Sequence, residues 1–139
     1  MADYRRYDEV AVGDVYPATP LSFAVTDAVV DAFLAATGDA GAAYARNGDV
    51  RAAPSMLAAV YLIDLLKARA SPPGGIHAKQ ALRFHRRLAV GETLSLQAHV
   101  VEKYVRKERP YIVSEFEARG GDGELVASGR ITSIWGKDQ

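Results

Sequence analysis

The chain has 139 residues, equal numbers of basic and acidic side chains, and no cysteine. Its length favours a single domain over residues 1–139 that buries most of its apolar surface. The balanced charge creates no global field, so we expect no nucleic acid and no membrane as partners. The lack of cysteine excludes disulfides, thiolate nucleophiles and cysteine-ligated metals.

The sequence also bears on where the protein acts. The first residues are polar and lack the apolar core of a secretory signal, and no apolar run approaches the roughly 20 residues of a membrane span. We therefore expect a cytoplasmic protein.

The first third of the chain predicts a strand, a helix and a loop. Leu21 to Val25 is expected to form a short edge strand. Thr26 is a candidate N-cap for the helix that follows, and Gly38 is expected to end that helix. Residues 39–52 have no sustained hydrophobic period, which predicts a loop, and such loops often carry functional residues.

The most apolar stretch runs from Ala53 to Arg69, APSMLAAVYLIDLLKAR. It predicts a long helix that is apolar on every side and therefore wrapped by other elements. About 15 residues at roughly 1.5 Å each give a rod of about 22 Å, which suits the axis of a small domain. Pro54 fits the first turn and Ser55 is a candidate cap, while the SPPGG segment beginning at Ser71 ends the helix.

The rest of the chain predicts antiparallel strands joined by turns. The strand segments are Ile76 to Leu88, Thr93 to Val105, Tyr111 to Arg119 and Leu125 to Trp135. The first is expected to carry its basic side chains on one face: His77, Lys79, Arg83, His85 and Arg87. Asp122-Gly123 is a strong hairpin signal before the last strand. The predicted fold is therefore α+β, an antiparallel sheet of about five strands around a long central helix.

The chain has three histidines, at positions 77, 85 and 99. His77 and His85 would lie about 26 Å apart on one strand at roughly 3.3 Å per residue, so they cannot share a metal there. We expect all three on solvated faces or in a subunit contact. We predict no metal site and no cofactor.

Two side chains in the loop before the central helix are candidates for catalysis. Asp39 follows the predicted helix stop, where partial burial would raise the pKa of a carboxylate toward that of a useful base; alternatively it only completes the turn after Gly38. Tyr44 is five residues further on. Because a phenol titrates near 10, Tyr44 would serve as a hydrogen-bonding partner, or else as an aromatic plug over the core.

The start of the central helix offers a candidate binding site. The backbone N–H groups of Ser55 and Met56 lie where a helix has unsatisfied donors, a place suited to a carbonyl oxygen that gains charge. Every helix has such an end, so the signal is generic. The basic clusters are expected to be solvated faces, with contact to the phosphates of a nucleotide carrier as a weaker alternative.

Taken in order, several segments resemble the MaoC-like dehydratases of the hot-dog fold, and most closely their N-terminal dehydratase subfamily. The segments are VGDVYP, FAVTDAVVDAFLAATGD, APSMLAAVYL, GGIHAKQALRFHRRLAVGETL and DGELVASGRITSIW. In active hydratases of that family, a Gly-Asp is followed by Asn-Pro and a catalytic histidine five residues after the aspartate. Here the segment is GDAGAAY, which retains Asp39 and places Tyr44 where the histidine is expected.

The resemblance implies two functions. The first is a dehydratase or enoyl hydratase acting on acyl-CoA or acyl-ACP thioesters, with Asp39 as base, Tyr44 as its partner, and the N–H of Ser55 or Met56 holding the thioester oxygen. The second is a non-catalytic hot-dog subunit or acyl-binding partner of a heteromeric dehydratase. The resemblance also implies a homodimer, or a heterodimer with a hot-dog paralogue, and the non-catalytic form would associate through edge strands. A hot-dog thioesterase is a weaker third idea, because no acidic residue lies between Ser55 and Asp64.

Overall fold

The computed structural model describes residues 3–39, 44 and 50–137. A short 3-10 helix at Tyr7–Glu9 precedes the main elements. The strands are β1 (Val15–Ala24), β2 (Ala52–Ala53), β3 (Ile76–Phe84), β4 (Leu88–Ala89), β5 (Thr93–Arg106), β6 (Arg109–Arg119) and β7 (Leu125–Ile134). The helices are α1 (Asp27–Thr37), α2 (Leu57–Val60) and α3 (Leu62–Lys67).

The main sheet has five strands in the order β1-β5-β6-β7-β3, and every neighbouring pair is antiparallel. The short strands β2 and β4 pair separately. The predicted α+β class and five-stranded antiparallel sheet are confirmed. The strand predicted at Leu21–Val25 does lie at a sheet edge, but it begins earlier, at Val15.

Helix α1 begins and ends at the residues that the sequence predicted. The Thr26 hydroxyl accepts a hydrogen bond from the Val29 N–H at 3.1 Å, which caps the helix as predicted. Gly38 ends it in the left-handed conformation with φ of 71°, where a residue without Cβ is favoured. Buried Val30 and Leu34 pack α1 onto the core.

The central helix is shorter than predicted. It consists of α2 and α3, four and six residues long, with Tyr61 as a turn between them. Ala53, predicted as the first residue of the helix, is instead in strand β2, and the helix begins only at Leu57. The Tyr61 ring stacks on Phe23 of β1 with ring centroids 4.3 Å apart, so it is anchored to the sheet at the point where the helix is interrupted.

The central helix is also not wrapped on all sides. Leu57, Leu62 and Leu65 are buried toward the sheet. Met56 just before it is 47% exposed, and Ile63 on its outer side is 60% exposed. The prediction of complete burial was therefore wrong, because the sheet of one chain covers only one face of this helix. Within the described residues, no helix is long and apolar enough to cross a membrane.

A β-bulge changes which side chains share a face of β3. His77 pairs with Ser133, which in turn pairs with the buried Ile112 on the helix side of the sheet. After the irregularity between His77 and Lys79, Lys79 pairs with Thr132 on the opposite side. The prediction that both basic residues share one face was therefore wrong. An extra residue in one strand reverses the alternation, and sequence periodicity assumes a regular strand.

Candidate functional site

Asp39 lies directly after α1. Its backbone N–H donates to the Leu34 carbonyl at 3.1 Å, continuing the helix-ending turn formed at Gly38. The residue is exposed in the isolated chain. The sequence predicted partial burial of the Asp39 carboxylate. A group outside the described residues would have to cover the carboxylate for that prediction to hold.

Tyr44 is half-buried and packs against the apolar core. Its carbonyl oxygen accepts a hydrogen bond of 2.6 Å from Arg51 Nε. The same guanidinium binds Asp31 at 2.8 Å and Asp27 at 3.0 Å, and these carboxylates, Asp31 first, raise the pKa of Arg51. Arg51 therefore ties the backbone at Tyr44 to the first turns of α1. Residues 40–43 and 45–49 of the predicted loop lie outside the described part of the chain.

Ser55 and Met56 form the turn that leads into α2. In the part of the chain that the structure describes, neither backbone N–H has a hydrogen-bond acceptor, whereas the next N–H, of Leu57, donates to the Pro54 carbonyl at 3.0 Å. The predicted capping by Ser55 was wrong: Met56 occupies the N-cap position and no side chain caps the helix. Two adjacent N–H groups therefore lack an acceptor within residues 3–39, 44 and 50–137, and together they suit a carbonyl oxygen.

An open groove runs between the exposed face of the central helix and β3. Its volume is about 390 Å³. Its lining residues are Met56, Ala59, Val60, Leu62, Ile63, Leu66, His77 and Gln80. Asp39, Tyr44 and Ser55 are not among these described lining residues. Of the four predicted site residues, only Met56 reaches the groove.

His77 lies in this groove, although the alternation of the sequence predicted it on the other face of β3. Its position follows from the bulge that puts it on the helix side of β3. The other histidines lie apart from it: His85 hydrogen-bonds the Ser128 hydroxyl at 2.8 Å, and His99 lies 4.0 Å from Glu115. Among the described residues, no three metal-ligating side chains converge.

A second polar cluster lies inside the sheet. Tyr16 Oη, Arg69 Nε and Ser114 Oγ are buried without a well-formed hydrogen bond among the described residues. Burial raises the pKa of Tyr16 and lowers that of Arg69, whose Nη1 donates to Ser133 Oγ at 2.7 Å. The adjoining cavity is about 10 Å³, too small for a substrate. This cluster therefore stands apart from the groove.

Comparison with known proteins places the fold. No family model matches the chain, and no curated protein matches it in sequence. Solved structures do match. A monoamine oxidase regulatory protein from Archaeoglobus fulgius has a TM-score of 0.81 at 20% identity, covering 99% of each chain.

Two further matches have functional names. The (R)-hydratase from A. caviae involved in PHA biosynthesis has a TM-score of 0.74 at 21% identity, covering 90% of this chain and 96% of that one. The HadBC (3R-hydroxyacyl-ACP dehydratase) complex from Mycobacterium tuberculosis has a TM-score of 0.72 at 20% identity, with the same coverage. The expected resemblance to MaoC-like dehydratases and (R)-hydratases is confirmed for the fold, and the chain has the hot-dog fold.

Proposed function

We propose that this chain takes part in the reversible hydration of 2-enoyl thioesters carried on CoA or an acyl carrier protein. The observation that supports the proposal is the pair of N–H groups at Ser55 and Met56, which have no acceptor among the described residues and stand at the start of a helix whose outer side lines an apolar groove. Such donors stabilise a thioester oxygen that gains charge, and an apolar groove suits an acyl chain.

The chemistry assigned to the chain uses few groups. Asp39 would take a proton from water as the water oxygen adds to C3 of the enoyl thioester. The N–H groups of Ser55 and Met56 would hold the thioester oxygen while C2 carries excess electron density. The Asp39 carboxyl then returns the proton to C2, and Tyr44 hydrogen-bonds the reacting oxygen. Because α2 has only four residues, the two N–H groups themselves would act here, with little help from a helix dipole.

A second candidate is a non-catalytic subunit of a heteromeric dehydratase. Two points favour it: Asp39 is exposed in the isolated chain, and Tyr44 stands where the resemblance to hydratases leads us to expect a histidine. The solved HadBC structure is a dehydratase complex. In this version a partner supplies the aspartate and histidine, and this chain helps to form the acyl channel.

The test is an assay of the purified chain with crotonyl-CoA and longer 2-enoyl thioesters, followed by loss of the enoyl absorbance. The self-sufficient enzyme predicts turnover that Asp39→Asn reduces at least about a hundredfold, within the usual range for a general base. Asp8→Asn is the matched control, because its carboxylate is exposed elsewhere on the surface. Turnover indifferent to Asp39→Asn contradicts this form. If the chain has no turnover by itself but has turnover with a second hot-dog subunit, the non-catalytic form is supported. If it has no turnover by itself or with that subunit, both proposed forms are contradicted.

A further inference from the structure

Three buried polar atoms from distant parts of the chain converge beside the end of the central helix. They are Tyr16 Oη on β1, Arg69 Nε just after α3 and Ser114 Oγ on β6, and each is enclosed without a well-formed hydrogen bond among the described residues. Ser114 and Arg69 both act to lower the pKa of Tyr16, although burial outweighs them and raises it, so their polar atoms lie close to the phenol. Tyr16 and Ser114 are only 5% and 1% exposed. Because buried polar groups almost always have a partner, the three atoms point to a bound group between them.

The same three side chains line one cavity. Its volume is about 10 Å³, which is room for one particle of about the size of a water molecule. Apolar Val10 and Ile112 form part of the wall, so the polar contacts come from one side. The cavity therefore suits a single small particle that binds to these three polar atoms.

The N-terminal segment closes this cavity. Trp135 Nε1 donates to the Arg5 carbonyl at 2.9 Å, and the Arg5 N–H donates to the Ala70 carbonyl at 2.9 Å. The Arg69 guanidinium lies over the Trp135 ring, 5.3 Å from its centre. Residues before β1, after α3 and after β7 are thus tied together around the cavity, and they hold its polar atoms in place.

The charge at this cavity is not balanced within the described residues. Arg5 also lines the cavity, but its Nη2 pairs with Asp14 at 2.7 Å. Arg69 has no such carboxylate among the described residues, and its Nη1 donates to the neutral Ser133 Oγ at 2.7 Å. Burial lowers the pKa of Arg69, yet a guanidinium stays protonated in proteins. Burial keeps the Tyr16 phenol neutral at pH 7, because it raises a pKa that is ordinarily near 10.

We propose that this cavity binds a small monovalent anion, such as chloride, between Arg69 Nε and the hydroxyl groups of Tyr16 and Ser114. All three groups can donate a hydrogen bond, and the guanidinium N–H can only donate, so the bound particle must accept. A water molecule could accept some of these bonds, but it would leave the charge of Arg69 without a counterion, which is costly in a buried place. A halide accepts from all three donors and neutralises that charge. It would tie the end of the central helix to β1 and β6.

The first experiment measures how chloride changes the stability of the purified chain. Urea unfolding is followed at pH 7 and fixed ionic strength, while chloride replaces gluconate, an anion too large for the cavity. The free energy of unfolding should rise with chloride and then level off. A Kd of about 10 mM would lower the equilibrium constant of unfolding about tenfold at about 0.1 M chloride. Iodide, a larger halide, should stabilise the protein less.

Two variants of the proposed site test which residues hold the anion. Arg69→Gln should abolish the saturable response to chloride, and Ser114→Ala should weaken the Kd at least about fivefold, as expected for one lost hydrogen bond to a charged group. Arg106→Gln and Ser95→Ala make the same changes at exposed positions and should keep the wild-type response. If Arg69→Gln fails to fold, Ser114→Ala and the wild-type titration still decide the outcome.

The second experiment locates the anion directly. Crystals grown in sodium bromide should show an anomalous scattering peak between Tyr16 Oη, Arg69 Nε and Ser114 Oγ. Density there without anomalous scattering would mean a water molecule and would overturn the inference. A peak without any saturable change in stability would mean an adventitious ion only. A chloride effect that Arg69→Gln retains would be a general salt effect, and a flat response would mean that another group of the chain neutralises Arg69; both would overturn the inference.

Discussion

Gly129 on β7 and Phe116 on β6 are cross-strand partners, and the Phe116 ring occupies the space that a side chain at position 129 would need. Phe116 is 1% exposed. The β3 backbone at Ala81 closes the other side. Gly129 therefore allows the centre of the sheet to pack around one aromatic ring.

Replacing Gly129 by alanine should destabilise the protein by about 1 to 3 kcal/mol, the usual cost of overpacking a core. Denaturant unfolding measures the change. Gly121→Ala is the matched control, since a Cβ at Gly121 meets nothing within 4 Å and its backbone is unstrained, so its effect should stay within about 0.5 kcal/mol. Equal midpoints for Gly129→Ala and wild type would contradict the packing described.

The N-cap of α1 gives a second prediction. Thr26→Ala removes the acceptor of the Val29 N–H and should lower the free energy of unfolding by about 1 kcal/mol, whereas Thr26→Asp should retain most of it. Thr37→Ala is the control at the other end of the helix, because the Thr37 hydroxyl donates only back to the Phe33 and Leu34 carbonyls of the same helix. The prediction is wrong if both alanine variants unfold at the same denaturant concentration.

The Arg86–Glu92 pair gives a pH-dependent prediction. Arg86 Nη2 lies 2.7 Å from Glu92 Oε1, and the Ala89 N–H donates to Glu92 Oε2 at 2.7 Å. Partial burial raises the pKa of Glu92, but these two donors outweigh it, so its pKa lies below the usual 4.5. A lowered carboxyl pKa stabilises the folded state above the unfolded pKa, and this stabilisation is lost as the pH falls through the folded pKa.

Glu92→Gln should therefore cost about 1 kcal/mol at pH 7, a modest value because both side chains are about a quarter exposed. Its stability should also fall less steeply than that of wild type below about pH 4.5. Urea unfolding at several pH values tests both points. Glu124→Gln is the control: Glu124 lies 3.4 Å from the same guanidinium but is 59% exposed. Parallel pH profiles for wild type and Glu92→Gln would contradict the prediction.

The features that the sequence predicted correctly depend on neighbouring residues. The Thr26 cap, the Gly38 stop and the hairpin at Asp122-Gly123 each involve contacts within a few positions. The burial of β5 alternates as predicted from Thr93 to Val100, before the register shift in its pairing with β6. Because these signals depend on residues close in sequence, sequence patterns predict the order of the elements and the antiparallel class of the sheet.

The errors have tertiary causes. The helix is interrupted at Tyr61, whose ring stacks on Phe23 from a distant strand, and no local pattern records that contact. The bulge after His77 reverses which side chains face the groove, and hydrophobic alternation cannot register one extra residue. The apolar outer face of the helix looked like core, because composition does not say whether the same chain or another one covers a surface.

The last prediction concerns the residue that departs from the hydratase pattern. Arg51 Nε donates to the Tyr44 carbonyl, a backbone contact that does not use the Tyr44 side chain. Tyr44→His should therefore change the side chain without moving the backbone. If the chain lacks only the histidine of the hydratase pattern, this variant should turn over crotonyl-CoA at least about tenfold faster than wild type. A correctly positioned general acid or base typically contributes more than about tenfold to the rate.

Tyr44→Phe is the matched control, since it removes the phenol without adding a base, and the double variant Tyr44→His/Asp39→Asn should lose the gain. The pH profile of the gained activity adds a readout that a structural effect would not produce, because an imidazole titrates near 6.5 and a phenol near 10. A folded Tyr44→His variant that remains silent alone and with a hot-dog partner would mean that this chain lacks more than a histidine. In that case the exposed position of Asp39 becomes the better explanation, because a change at position 44 leaves the exposure of that carboxylate unaltered.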